Sequence, residues 1–248
     1  MTPEISVFLF DHRDGVERAV IFSQYPQYSC ATTGSIPKNI KFSLIERWAT
    51  HPLLAKVFAE RIKEKLDVFD PEVRDDVVIL FTAHSLPLKA VSRGDTYPHE
   101  VAATVANTML QLNVKNPYRL VWQSKAYAKQ GRKNLLLVPI AFVNEHIETL
   151  HELDIEYCHD IAKEAGITRI ERAATPNAHP TFISALADIV VQHLAGQEKV
   201  SKQFLTRCPH CVSERCHKSK EFFKELCAGD VTIDTNNIKS QESQLNVK

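Results

Sequence analysis

Over 248 residues, 30 lysines and arginines balance 30 aspartates and glutamates, and 44% of the chain is hydrophobic, so it can bury a globular core while no net field draws it to nucleic acid or an anionic membrane. The seven glycines stand at least fifteen residues apart, which excludes G-x-G-x-x-G and P-loop phosphate cradles. The longest apolar stretch, Leu135 to Val143, is about half the length that crosses a bilayer; the start, with Glu4 where a signal peptide is basic, predicts no targeting segment.

Arg18 to Phe22 predicts a short strand running into the aromatic turn Ser23 to Cys30. From Ser43 to Leu66, the residues Leu44, Ile45, Trp48, Leu53, Leu54, Val57, Phe58, Ile62 and Leu66 recur at three and four, predicting a helix in two pieces, with Pro52 tolerable only at a break or a first turn. Val77 to Phe81 is continuously apolar and rich in β-branched residues, the pattern of a parallel strand covered on both faces. Arg119 to Trp122, Leu135 to Ile140 and Thr168 to Arg172 predict further strands, alternating with helices at Pro98–Leu112, Glu145–Ala165 and Pro180–Leu194. This alternation predicts an α/β domain with a parallel sheet over roughly residues 70 to 197.

In open α/β sheets, sites form beyond the carboxyl ends of the strands. That rule selects His84 with Ser85–Pro87, Gln123–Lys125, and Phe142 to Glu148. From Asn144 to Asp160 the chain holds six carboxylates, three histidines and no lysine or arginine. On a helix of ordinary period, Glu148, Glu152 and Glu156 stack at four-residue steps, a repulsion of about 0.2–0.5 kcal/mol per pair, so a cation is expected to compensate them. Such a file of oxygen and imidazole ligands suits passage of a divalent metal such as Fe(II). The second constellation, Cys208, Cys211 and Cys216, is a C-x2-C-x4-C motif whose three thiolates converge at low cost only around a metal. Zinc would take His217 or Cys227 as fourth ligand, whereas an iron–sulfur cluster wants a fourth thiolate. Loop closure favours Cys227 over the distant Cys30 by about 2.5 kcal/mol. Cys158, within the acidic helix, is expected in the core.

Taken together, Gln24-Tyr25-Pro26-Gln27-Tyr28-Ser29-Cys30, Ala83-His84-Ser85-Leu86-Pro87, Val121-Trp122-Gln123-Ser124-Lys125 and His146-Ile147-Glu148-Thr149-Leu150 closely resemble the ferrochelatases of animal and fungal mitochondria, from about Asp14 to Phe223. The resemblance implies a chelatase-like parallel sheet flanked by helices. One domain, residues 69–197, is largely complete; residues 1–68 are the remnant of a second, similar domain with its connecting helix, and 198–248 form an iron–sulfur extension and polar tail. It implies insertion of Fe(II) into protoporphyrin IX, with His84 and Glu148 catalytic. His146, Glu145, Glu152, Glu156, Tyr97, Trp122 and Lys125 would lie along the metal path or the porphyrin cleft. Cys30, Cys208, Cys211 and Cys216 would hold a [2Fe-2S] cluster, Cys30 displacing the choice made by loop length. The family further implies a homodimer attached peripherally to the matrix side of the mitochondrial inner membrane, with no nucleic-acid partner.

The departures from the family have consequences of their own. Most of the first domain is unmatched, the segments at 35–43 and 126–130 are short, and Glu145 stands where an aspartate is usual. With one wall of the porphyrin cleft missing, this chain alone is expected to turn over poorly, and the apolar faces of Arg18–Phe22 and of the Ser43–Leu66 helix are expected to stand uncovered. The competing reading is a truncated, non-catalytic iron–sulfur or interaction isoform of the same enzyme. A weaker one is a chelatase for cobalt and another tetrapyrrole.

Overall fold

The computed structural model describes residues 18–24, 26–27, 41–122, 133–161, 163 and 167–228. Strands β1 (Arg18–Phe22) and β2 (Lys41–Ile45) run parallel, with Ile21 opposite Leu44. Strand β2 corrects the expectation of a helix from Ser43. Pairing with β1 supplies its backbone bonds, and extended geometry sends Leu44 and Ile45 into different cores, a distribution that a helix would not produce. The helix itself, α1, is Pro52–Leu66, and His51 ahead of it is extended. Of the two places open to Pro52 it takes the first turn, where its missing N–H costs nothing.

The larger sheet has the order β4-β3-β5-β6, with β3 (Val78–Ala83), β4 (Tyr118–Trp122), β5 (Asn134–Pro139) and β6 (Arg169–Arg172) all parallel. Central β3 is buried along its whole length. Its odd residues Ile79, Phe81 and Ala83 join Leu136 and Val138 in the main core; Val78 and Leu80 join Val121, Leu135 and Leu137 in a second core on the other face. Burying each large side chain of this kind contributes about 1.5–3 kcal/mol. The main core is closed by α1, α4 (Tyr97–Leu112) and α6 (Pro180–Ala195). Short helices α2 (Pro71–Arg74) and α3 (Leu88–Ser92) lie in the connections. Between β5 and β6 runs α5, Glu148–Ile161, which is a π-helix; its Cys158 packs on the second core.

The C-terminal segment carries α7 (Glu214–Ala228) back onto the small sheet. Val200, Phe204 and Phe223 bury Ile21 and Leu44, and the Leu44 N–H donates to the Lys199 carbonyl at 2.7 Å. The expectation of uncovered faces is therefore corrected for α1 and for the Ile21 face of β1, whereas Val20 and Phe22 on the other face of β1 line an open groove. Leu54, Val57 and Ile62 of α1 are fully buried, because the complete domain and the C-terminal extension both pack on this region.

Candidate functional site

Three loops meet at the carboxyl edge of the sheets. Thr82 of β3 stands in register with Pro139 of β5, so the chain leaves both strands at one edge, toward His84 on one side and toward Asn144 to His146 on the other. His84 is exposed. Tyr97, at the start of α4, is buried with its ring 6.0 Å from that of Trp122 at the end of β4. The His146 ring lies edge-on to Phe142 with centroids 4.5 Å apart, and its backbone N–H donates to the Thr149 hydroxyl at 2.9 Å. Two asparagines tie this loop to its neighbours. Asn144 donates to Gln24 beyond β1 at 3.4 Å; Asn177, left-handed at φ 46°, accepts from the Glu145 N–H at 2.8 Å and donates its own N–H to the Val143 carbonyl at 2.8 Å. Asparagine is among the few residues that adopt that backbone conformation at low cost.

A cation that the sequence reading did not single out, Arg172 at the end of β6, stands beside the acidic helix and pairs with Glu145 and Asp154. Its Nη1 donates to Glu145 Oε1 at 2.9 Å, its Nη2 to Asp154 Oδ2 at 2.9 Å, and its Nε to Asp154 Oδ1. Burial alone would lower the guanidinium; the bonds to Asp154 and Glu145 outweigh it and push the pKa up. Burial alone would likewise raise the Glu145 carboxyl, but the Thr175 N–H, at 2.9 Å from Oε1, and Arg172 are among the donors that hold it below the ordinary carboxylate range. One arginine thus fastens the residue ahead of α5 and a residue within it to the same strand end. Farther along, half-buried Glu156 faces His151 at 3.5 Å. The strand-end rule that picked out the other loops applies equally to β6, and it would have found Arg172. Glu148 opens α5 and Glu152 lies within it; their side chains, like Lys125 and Cys30, lie outside the described residues.

The three clustered cysteines come close enough to interact. Burial pushes the Cys216 thiol up, Lys220 counters it, and the neighbouring Cys211 and Cys208 raise it further. Cys216 sits in the first turn of α7, where its N–H donates to the Ser213 hydroxyl at 3.3 Å; the Cys211 N–H turns back to the Cys208 carbonyl at 3.0 Å. Neither nearby alternative for a fourth ligand joins them. His217 is paired with Glu221 at 3.1 Å, and Cys227 packs with the apolar cluster of Phe204 and Phe223, its thiol raised by burial. Among the described residues, no three His, Cys, Asp or Glu side chains are already drawn together at metal-ligand spacing. Three thiols at C-x2-C-x4-C spacing still match the donor chemistry of a thiophilic metal or cluster.

Beside the strand edge opens an apolar groove of about 890 Å³. Phe22, Trp48, Phe182 and Leu186 form its walls, and Gln24, Asn144 and Asn177 contribute its polar groups. Its size is within the range of pockets that take sizeable organic ligands.

Residues 2–194 match the family model described as Ferrochelatase. The chain is 54% identical to the mitochondrial ferrochelatase of Drosophila melanogaster over 245 residues, covering 87% of this chain and 64% of that protein. It is 50% identical to the mitochondrial ferrochelatase of Homo sapiens over 85% of this chain and 57% of that one. With the Schizosaccharomyces pombe protein of the same name the identity is 42%, over 85% and 56%. The chain therefore spans roughly three-fifths of the length of these relatives. A match over this much of the chain, on a parallel sheet whose strand ends carry the expected residues, shows that the chain belongs to the ferrochelatase family.

Proposed function

We propose that this chain forms the metal-inserting part of a ferrochelatase, which places Fe(II) in protoporphyrin IX to form protohaem. The observation that carries the reading is the carboxyl edge of the sheet, where the His84 loop leaves β3 beside the Glu145–His146 loop that opens into the acidic π-helix. Metallation releases two protons: each pyrrole N–H bond breaks, its electron pair goes to iron, and the proton must be taken up. An exposed histidine at a strand end and a carboxylate at the mouth of the neighbouring helix are suited to that uptake and to guiding a desolvating Fe(II). We assign the first role to His84 and the second to Glu148. We assign His146 and Glu145 to the surroundings of the ring, Glu152 and Glu156 to the metal's approach, and Tyr97, Trp122 and Lys125 to the porphyrin cleft.

On the same reading Cys208, Cys211, Cys216 and Cys30 hold a [2Fe-2S] cluster, which supplies iron-linked stiffening of the C-terminal extension when bound. The pairing of His217 with Glu221 and the apolar packing of Cys227 support a fourth ligand from elsewhere in the chain. The names of the relatives support a mitochondrial protein, and we place it as a homodimer held peripherally on the matrix face of the inner membrane. No helix among the described residues is long and apolar enough to cross a membrane.

The test is anaerobic assay with Fe(II) and protoporphyrin IX, in a protein of the relatives' full length carrying these motifs. Glu148→Gln and His84→Ala should each lower kcat by about a hundredfold or more with porphyrin affinity retained. Glu152→Gln and Glu156→Gln should cost less, since they lie on the approach. Losses confined to KM would overturn the assignment. The 248-residue chain assayed beside it should be slower by more than about tenfold, because a flat ring needs two walls.

A further inference from the structure

The cysteine loop is seated on the turn that follows the His84 segment. After Pro87 the chain makes α3, whose end is closed by the Arg93 N–H to the Ala90 carbonyl at 3.1 Å and the Gly94 N–H to the Val91 carbonyl at 2.9 Å. Gly94 then turns left-handed at φ 95°, and buried Asp95 accepts from the Tyr97 N–H at 3.0 Å to begin α4. Against this turn rests Cys208-Pro209-His210. A Cβ on Gly94 would meet Pro209 Cδ at 2.8 Å and Cys208 Cβ at 3.7 Å, and the His210 N–H reaches the Arg93 carbonyl at 3.4 Å.

Gly94 is therefore constrained twice. The positive φ favours glycine for backbone reasons found at many helix ends. The contact is independent of it, and it comes from the residue between two of the three clustered cysteines. Whatever fixes Cys208 and Cys211 fixes Pro209, and Pro209 bears on the hinge between the helix after His84 and the helix that begins with Tyr97.

We propose that Gly94 is a positioning residue that couples the state of the cysteine site to the segment from His84 to Tyr97. Resting on the reading of those cysteines as a metal site, the coupling works in a stated direction. Loading the site pins Pro209 on Gly94 and rigidifies the segment; emptying it releases the hinge. No reaction step is involved, only the freedom of one turn.

The experiment is hydrogen exchange, read by mass spectrometry, on the full chain purified anaerobically and compared before and after its bound metal is stripped. Iron, zinc and acid-labile sulfide are measured on each sample. Loaded protein should exchange about tenfold more slowly over residues 88–97 than stripped protein, while peptides from β5 are unchanged. Gly94→Ala should abolish that difference with metal still bound. Adding Pro209→Ala to Gly94→Ala, which removes the atom the new Cβ meets, should restore part of it. A loaded chain whose exchange over 88–97 equals that of the stripped chain overturns the coupling and leaves the metal site standing. Absence of restoration in the double variant also overturns it, since backbone strain at φ 95° would then account for the whole effect. A chain that holds no metal overturns both the coupling and the cysteine reading.

Discussion

Arg172 shows how much one side chain decides here. It is 12% exposed, meets Glu145 and Asp154 together, and so neutralises two carboxylates that sequence separates by nine positions. A lysine keeps the charge but not the planar fork that reaches both partners. Arg172→Gln should destabilise the protein by about 3 kcal/mol, because it leaves partly buried carboxylates without a cation, and Arg172→Lys by clearly less. Urea unfolding measures both; equal losses would mean that charge and fork geometry are not separable. The pH dependence has a definite sign. Glu145 is held below its ordinary value of 4.5, so its contribution is present above that value and lost as pH falls through the lower folded one. Stability lost on acidification below about pH 4.5 should shrink in Glu145→Gln.

At the scale of elements, α5 departs furthest from what periodicity alone implies. Read at 3.6 residues per turn, Glu148, Glu152 and Glu156 repel one another in a column. A π-helix bonds each residue to the fifth along, and its Asp154 is held by Arg172 from the end of β6. Helix α7 bears on the cysteines as well, because it places Cys216 in its first turn, directly after the loop that carries Cys208 and Cys211. A protein isolated without oxygen should be red-brown and contain iron and acid-labile sulfide in equal amounts. Cys208→Ser and Cys30→Ser should bleach it whereas Cys227→Ser should not. A colourless protein with one zinc would replace the cluster with a zinc site.

For the whole molecule, the C-terminal extension is part of the packing. Phe223 lies against Phe204, centroids 5.0 Å apart and edge to face, over Ile21 and Leu44 of the small sheet. Phe223→Ala should cost about 3–5 kcal/mol and lower the thermal midpoint of the entire chain in one transition. A separate early transition confined to α7 would show instead that the extension folds independently. The groove beside Phe22, Trp48 and Phe182 opens on the other face of β1, so the packing of the extension and the groove use different faces of the same small sheet.

How much of this could be read from the chain depends on how local each cause is. The buried run before His84 was legible because a strand covered on both faces needs apolar residues at every position, and the site loops followed from the rule that parallel strands deliver their ends to one edge. The nearness of Cys208 and Cys211 to Cys216 was legible because residues three and five apart stay neighbours whatever the rest of the chain does. Ser43 to Ile45 misread as helix because its strand geometry depends on pairing with Arg18–Phe22, a partner more than twenty residues away. Arg172 opposite Glu145 and Asp154, Pro209 against Gly94, and Phe223 over Leu44 are likewise long-range pairs. Composition and periodicity establish which faces are apolar and where elements begin; only the folded chain decides which distant side chain closes each face, because that choice is made by packing and charge between segments whose order in sequence carries no distance.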